Sequence, residues 1–174
     1  MTDNLHIRFL EAKDFDKLLA YLTCLSAETR SRFAPHTFDM PTIEQFYQPE
    51  NNQSGFIIEN LSEHTIVAYA IIKKGYVPKD KARLQKYGLS LFPLTDCTFA
   101  PSVADAWQGK GLGNTLFGYI RHQLQMQGLK RMILWGGVQA QNVRAVNFYL
   151  KQGFLKIGDF ENNGIANYDM ILEI

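Results

Sequence analysis

The chain has 174 residues, of which 46% are hydrophobic and 20% charged, and its formal net charge is +1. This length predicts a single domain over residues 1–174, and the composition excludes a mainly disordered chain because it supplies enough apolar side chains for a core. No run approaches the roughly 20 apolar residues of a membrane span, and the N-terminal residues lack the pattern of a secretion signal, so we expect a cytoplasmic protein without a membrane partner.

The first half of the sequence predicts strands and helices in alternation. Runs of β-branched and aromatic residues indicate strands, whereas apolar residues at helical spacing, such as Leu18 and Leu22, indicate a helix. In chain order the predicted elements are a strand over 5–10, a helix over 14–25, a proline-rich stretch over 31–49 with a short helix over 42–47, and an antiparallel hairpin of 55–59 and 65–73.

The second half begins with a polar, basic stretch that predicts a long connector over 74–88. Strand-like residues follow over 89–100, but Pro93 and Pro101 interrupt the pattern, and a proline in a strand implies an edge, a bulge or a bend. The remaining predicted elements are a helix over 113–128, a strand over 131–135, a helix from the N-cap Asn142 to Gly153, and a hairpin of 154–158 and 166–172.

The positive charge is concentrated in one segment. Between Asp105 and Asp159 the sequence has no Asp or Glu and carries seven cations, so the rest of the chain has a net charge of −6. This segment is either a solvated basic face or a half of the domain that holds an anionic ligand. Nucleic-acid binders usually show basic clusters with interleaved aromatics, whereas these cations occur singly, so we expect a small phosphorylated cofactor and no nucleic acid.

One glycine-rich motif, Gln108-Gly109-Lys110-Gly111-Leu112-Gly113, lies between a strand-like segment and an amphipathic helix. Three glycines permit a tight turn and a close approach of a ligand to the backbone amides. Because a helix begins here, its unpaired N–H groups and its positive dipole end face the turn. The motif therefore predicts an anion site.

Spacing excludes two common glycine-rich motifs. A P-loop needs Ser or Thr directly after its lysine, but Gly111 follows Lys110. A dinucleotide fingerprint that starts at Gly109 would have its third glycine at position 114, which is Asn114, and no acidic residue follows about 20 residues later. A turn without a ligand stays open as an alternative.

This motif resembles the signature of the GNAT superfamily of acyl-CoA-dependent N-acyltransferases. The signature is (Gln/Arg)-x-x-Gly-x-(Gly/Ala), and Gln108, Gly111 and Gly113 match its three defined positions. A second segment at the expected distance is similar to the family pattern Asn-x-x-Ala-x-x-x-Tyr-x-x-x-Gly-Phe. The resemblance spans roughly 103–158, and residues 25–33 also resemble a substrate-side segment of some members. The matching residues of the second segment are Asn142, Ala145, Phe148, Tyr149, Gly153 and Phe154.

The resemblance implies an α/β (α+β) fold with a mixed, mostly antiparallel central sheet that splays into a V and is flanked by helices. Its central strands would lie near 99–104 and 131–135, with acetyl-CoA as the cosubstrate between them. The backbone of Val103 would face the thioester, the glycine-rich turn would hold the pyrophosphate, and Asn142 would contact the pantetheine arm or act as a plain N-cap. Pro101 departs from the usual pattern because it removes one backbone donor. The implied cofactor-binding residues are Val103, Gln108, Gly109, Lys110, Gly111, Leu112, Gly113 and Asn142.

The chemistry that the resemblance implies is direct attack of a neutral amine on the thioester through a tetrahedral oxyanion. Tyr149 matches the position of the group that protonates the departing thiolate or donates a hydrogen bond to it, and a core tyrosine with a backbone partner is the alternative. An alkylamine with a pKa near 10.4 is neutral in only about one molecule in a thousand near pH 7.4, so a proton acceptor is needed. Asp96 is the first candidate for this proton acceptor, and Asp105, His36 and a water chain are the alternatives.

The acceptor is expected to be the primary amine of a small molecule. A protein or peptide N-terminus, and a non-catalytic domain that only binds acyl-CoA, are the other readings. An exposed strand edge near the C-terminus could pair with a second copy in a homodimer. No metal is expected, because Cys24 and Cys97 are the only cysteines and no Cys or His cluster has metal-ligand spacing.

Overall fold

The structure is a computed structural model that describes residues 4–174. Within these residues the chain forms eight strands and six α-helices, with short 3₁₀ turns between some of them. The strands are β1 Leu5–Phe9, β2 Gln53–Asn60, β3 Thr65–Lys74, β4 Asp96–Val103, β5 Arg131–Leu134, β6 Val138–Gln139, β7 Leu155–Asn162 and β8 Ile165–Glu173. The helices are α1 Phe15–Cys24, α2 Ala27–Arg32, α3 Met40–Phe46, α4 Lys81–Lys86, α5 Leu112–Met126 and α6 Val143–Lys151.

The strands form one sheet in the order β1-β2-β3-β4-β5-β8-β6, and β7 pairs with β8 off this path. β1 and β2 are antiparallel, as are the pairs that β8 makes with β5, β6 and β7. β4 and β5 are parallel, with Asp96 opposite Arg131 and Phe99 opposite Leu134. The predicted mixed, mostly antiparallel sheet with flanking helices is therefore confirmed.

The β4–β5 ladder is short because of a proline. Its last described bond runs from the Trp135 N–H to the Phe99 carbonyl at 2.9 Å. In a parallel ladder the next bond would need the amide of residue 101 as donor, and Pro101 has no N–H. β4 continues to Val103, four residues beyond its last position paired with β5. The interruption that Pro101 predicts is thus the point where β4 stops pairing with β5, while β4 itself continues as a strand.

The chain divides into two compact units. The first consists of Met1–Ile72 and Ala100–Gln123, and the second consists of Lys73–Phe99 and Leu124–Ile174. β3 and β4 each run from one unit into the other. One domain over 1–174 stays a prediction.

The first unit is built on the apolar face of α1. Leu18, Tyr21, Leu22 and Leu25 recur at helical spacing and are all buried. α1 packs against α3, whose Ile43 is fully buried. Burying each such aliphatic side chain contributes about 1.5–3 kcal/mol. α3 begins two residues earlier than predicted, because the Asp39 carboxylate accepts a hydrogen bond from the Thr42 amide at 2.9 Å and caps the helix there.

The second unit has an ion pair at the start of two neighbouring strands. Arg131 Nη2 lies 2.6 Å from Asp96 Oδ2, and both side chains are buried. The Asp96 carboxylate also accepts a hydrogen bond from the Phe92 amide at 2.7 Å, and Arg131 donates to the Ser90 carbonyl. These bonds hold the segment before β4, which explains why the strand begins at Asp96 and not at residue 89 as predicted.

The predicted connector over 74–88 contains α4, which the sequence pattern did not indicate. A six-residue helix has too few turns for a clear apolar period. One distant and one local ion pair hold it: Arg83 pairs with the buried Asp169 at 2.7 Å and with the neighbouring Asp80 at 3.0 Å. The Asp80 carboxylate also accepts a hydrogen bond from the Gly136 amide at 3.1 Å.

Candidate functional site

The glycine-rich turn has the backbone conformation that its sequence predicts. Gly109 and Gly111 have φ of 76° and 83°, in the left-handed region that glycine adopts without strain. A Cβ built at either glycine would meet no protein atom within 4 Å. Positive φ, and not crowding by other protein atoms, is therefore what requires glycine at these two positions.

The turn leads directly into α5, a helix of 15 residues that begins at Leu112. The first N–H groups of such a helix have no intrahelical acceptor and carry its positive dipole end. Lys110 adds a full positive charge, and its Nζ lies 4.8 Å from the centre of the Trp107 ring. Backbone donors, a helix terminus and an ammonium group thus meet at one turn, which is the arrangement that binds phosphate.

The side chain of Gln108 ties this turn to the end of β4. Its Nε2 donates to the Val103 carbonyl at 3.2 Å. The structure therefore brings together Val103 and the turn, which the sequence analysis named separately.

Tyr149 lies on α6 with 8% of its surface exposed. Its ring contacts Phe99, Phe148 and Phe154, with centroid distances of 6.5, 5.3 and 5.3 Å. Within residues 4–174 the hydroxyl has no hydrogen-bond partner, and burial raises the pKa of this phenol. No described hydrogen bond gives this hydroxyl the backbone partner of a core tyrosine, and its role in catalysis stays a prediction.

Asn142 is the N-cap of α6, as predicted. Its side-chain oxygen accepts a hydrogen bond from the Ala145 amide at 3.3 Å. A contact with a pantetheine arm stays a prediction.

Asp96 is not brought to the turn. It is the first residue of β4, whereas Val103 is the last, so the strand rise of about 3.3 Å per residue separates them by about 23 Å. Its carboxylate is engaged by Arg131 and by the Phe92 amide. These contacts hold the start of β4, and a catalytic role for Asp96 stays a prediction.

The other two candidate bases differ in what their side chains contact. Asp105 accepts hydrogen bonds from the Ser26 amide at 2.9 Å and from the Thr29 hydroxyl at 2.6 Å, and these bonds lower its pKa. His36 Nδ1 lies 2.7 Å from the Thr37 carbonyl, so Nδ1 must carry the proton. His36 Nε2 is buried without a hydrogen-bond partner, and burial lowers the pKa of the ring. His36 therefore keeps an unused lone pair.

The sequence analysis missed a cluster of hydrogen-bonded hydroxyls beside Val103. The hydroxyls of Tyr21 and Ser102 lie 2.8 Å apart, and the Ser102 hydroxyl donates to the Tyr69 carbonyl at 3.4 Å. The Tyr69 hydroxyl in turn forms a hydrogen bond with that of Tyr47. A tyrosine in the otherwise apolar run of β3 was the available signal, but its partners are distant in sequence.

Metal-ligating side chains form no cluster of three or more within residues 4–174. No helix in that range is long and apolar enough to cross a membrane.

The model of the GNAT acetyltransferase family matches residues 20–154. The chain belongs to the GNAT acetyltransferase family. The match includes both segments on which the sequence resemblance rested. None of the curated proteins compared with the sequence matches it.

Solved GNAT structures share the fold of this family member. The GNAT domain of S. lividans PAT aligns with a TM-score of 0.75 and 16% identity over 98% of this chain and 90% of that chain. Spermidine N-acetyltransferase from Vibrio cholerae, in complex with CoA and spermine, aligns with a TM-score of 0.71 and 19% identity over 98% and 95%. The protein yncA from Salmonella typhimurium, with its cofactor acetyl-CoA, aligns with a TM-score of 0.71 and 17% identity over 98% and 94%.

Proposed function

We propose that this GNAT family member transfers an acetyl group from acetyl-CoA to the primary amine of a small molecule. The observation that carries the proposal is the glycine-rich turn at the start of α5, which combines backbone donors with Lys110 and is tied to Val103 by Gln108. CoA and acetyl-CoA in two proteins of the same fold support the choice of cofactor. The Vibrio cholerae enzyme, named for spermidine, supports a small amine as acceptor.

In this proposal the turn binds the pyrophosphate through the amides of residues 108–113. The backbone of Val103 contacts the thioester, and Asn142 contacts the pantetheine arm. The amine nitrogen attacks the acyl carbon, the carbonyl becomes a tetrahedral oxyanion, and the C–S bond then breaks to release CoA. Backbone amides stabilise the oxyanion without any covalent enzyme intermediate.

Tyr149 donates a hydrogen bond to the departing thiolate. A free phenol has a pKa of about 10 and a thiol one of about 8.5, and burial raises the pKa of Tyr149 further. Complete proton transfer from Tyr149 is therefore uphill, so its contribution is hydrogen bonding to the developing negative charge. CoA takes up its proton from solvent after release.

The attacking ammonium must first lose a proton. Asp96 is assigned to the fold and not to this step, because its carboxylate is engaged at the far end of β4. Asp105 is engaged by α2. His36, with its unused Nε2 lone pair, and a water chain to solvent are the two routes that we retain.

Thermal unfolding with acetyl-CoA tests the cofactor, with adenosine as the control that lacks phosphates. At 100 times its Kd, a ligand of the native state contributes about 2.7 kcal/mol, which should raise the Tm by roughly 5–11 °C for a chain of this size. Release of free thiol on addition of amines then tests the transfer. A Tm that acetyl-CoA does not change would contradict the cofactor assignment.

The same two measurements distinguish the other readings. A Tm shift without thiol release from small amines or peptides would indicate a domain that only binds acyl-CoA. Thiol release with peptides but not with small amines would indicate protein or peptide acetylation. The tyrosine at position 149, where the family places the donor to the thiolate, favours a catalytic protein.

A further inference from the structure

The carboxylate of Asp105 joins two segments that are far apart in sequence. Its oxygens accept hydrogen bonds from the Ser26 amide at 2.9 Å, the Ser26 hydroxyl at 2.8 Å and the Thr29 hydroxyl at 2.6 Å. Ser26 is the N-cap of α2, and its hydroxyl oxygen accepts a bond from the Thr29 amide at 3.2 Å. Asp105 thus holds the first turn of α2.

The same residue begins the short 3₁₀ turn Asp105–Trp107, which directly precedes the glycine-rich turn. The Asp105 carbonyl accepts a hydrogen bond from the Gln108 amide at 3.3 Å. The side chain of Gln108 then contacts both segments, since its Nε2 lies 3.4 Å from the Thr29 hydroxyl and donates to the Val103 carbonyl at 3.2 Å. Asp105 and Gln108 therefore connect the turn to α2 by hydrogen bonds.

The other end of α2 contacts the cluster of hydroxyl-bearing side chains beside Val103. The helix ends at its C-cap Phe33, whose amide donates to the Thr29 carbonyl at 2.9 Å. The Phe33 ring packs edge-on against Tyr69 with centroids 5.9 Å apart. The Tyr69 carbonyl accepts the bond from Ser102, the neighbour of Val103 in β4. Helix α2 thus spans from the turn to the strand that would carry the thioester.

We propose that Asp105 is a positioning residue that couples α2 to the glycine-rich turn, so that acetyl-CoA bound at the turn stabilises α2. The proposal rests on the proposed function, because it needs acetyl-CoA at the turn. Linkage makes the coupling reciprocal: an acceptor that orders α2 raises the affinity for acetyl-CoA by the same factor.

The chain offers a matched control in Asp39. Its carboxylate accepts hydrogen bonds from the Thr42 amide and the Thr42 hydroxyl, both at 2.9 Å, and so caps the short helix α3 as Asp105 holds α2. No described bond of Asp39 reaches the turn. Asp39→Asn therefore removes the charge of a similar capping carboxylate without touching the proposed coupling.

Hydrogen exchange with and without saturating acetyl-CoA tests the proposal. In the unmodified protein and in Asp39→Asn, we expect acetyl-CoA to slow exchange at the turn and also in α2, at the amides of Arg30 and Phe33, by at least about fivefold. In Asp105→Asn we expect acetyl-CoA to protect the turn but to change α2 by less than about twofold. Asp105→Glu should restore part of the response, which a loss of local stability alone would not explain.

Two outcomes overturn the coupling while leaving the proposed function intact. The first is protection of the turn without any response of α2 in the unmodified protein. The second is a full α2 response in Asp105→Asn. If that variant does not fold, Thr29→Val removes one of the three bonds to Asp105, together with the Gln108 contact, and should weaken the response by at least about twofold. Absence of protection at the turn itself contradicts acetyl-CoA binding, and with it both proposals.

Discussion

The side-chain amide of Gln108 donates to the carbonyl of Val103 across 3.2 Å. The first residue opens the glycine-rich turn, and the second ends β4. This bond connects the turn directly to the end of β4. A pyrophosphate on the turn would therefore fix where the rest of a CoA molecule begins relative to β4.

Replacing Tyr149 by phenylalanine should lower kcat by about tenfold to a hundredfold with little change in the Kd for acetyl-CoA. The ring still packs on Phe99 and Phe154, and only the donor to the thiolate is lost. Stopped-flow measurement of the chemical step, with Tyr119→Phe as the control, checks this. An unchanged rate of the chemical step would remove Tyr149 from the mechanism.

Replacing Gly111 by aspartate should abolish acetyl-CoA binding, because it places a negative charge where the pyrophosphate would lie. Gly88 is the matched control, since its φ is 77° and a Cβ there also meets nothing within 4 Å. Both aspartate variants should lose about 1–2 kcal/mol of stability from the left-handed backbone. Calorimetric titration should find acetyl-CoA binding in Gly88→Asp only, and equal affinities in the two variants would refute the placement.

Replacing Asp96 by asparagine should destabilise the protein by about 3–5 kcal/mol, because it leaves the buried Arg131 guanidinium without its counter-charge. Urea unfolding measures this loss. Below the unfolding temperature kcat and its pH profile should stay unchanged, since the carboxylate is engaged far from Val103. If kcat fell and its pH profile shifted while the variant remained fully folded, Asp96 would be the base of the reaction.

Stability should depend on the protonation of His36. Burial lowers the pKa of its ring below the ordinary value of about 6.5, so between these two values the unfolded chain binds a proton that the folded chain does not. The free energy of unfolding should therefore fall as the pH decreases from above 6.5 to the folded pKa. Urea unfolding at several pH values from 7.5 down to 5.0 checks the sign.

Asparagine at position 36 keeps a donor for the Thr37 carbonyl and cannot titrate, so His36→Asn should weaken this pH dependence. The same change at the exposed His122 is the control and should leave it intact. If His36 is also the proton acceptor of the reaction, His36→Asn should lower kcat most at neutral pH, where the ring is the working base. Identical pH profiles of kcat in the variant and the unmodified protein would leave the water chain as the route.

Patterns over a few neighbouring residues were sufficient to predict several local structures of this protein from its sequence. The glycine spacing of 108–113 and the apolar period of the next helix predicted the turn and α5, because φ preferences and helical periodicity involve residues only a few positions apart. Asn142 was identified as an N-cap for the same reason, since a cap bonds to an amide three residues later. Matching two such segments was sufficient to identify the family.

The choice among the candidate bases needed the tertiary structure. Asp96 resembles any other carboxylate near a strand until its partner Arg131, 35 residues away, is placed beside it. The contact of Asp105 with Ser26 spans 79 residues, and the proton on His36 Nδ1 follows only from the carbonyl that it meets. Charge, burial and hydrogen-bond partners decide what an ionisable group can do, and these depend on contacts that no local pattern encodes.

The sequence by itself determined the family, the location of the glycine-rich turn and the N-cap of α6, because each depends on local backbone geometry. Only the tertiary structure decided that Asp96 pairs with Arg131, that Tyr149 is buried among aromatic rings and that the Asp105 carboxylate contacts the first turn of α2. These properties arise from desolvation and from hydrogen bonds between distant segments, which exist only once the chain has folded.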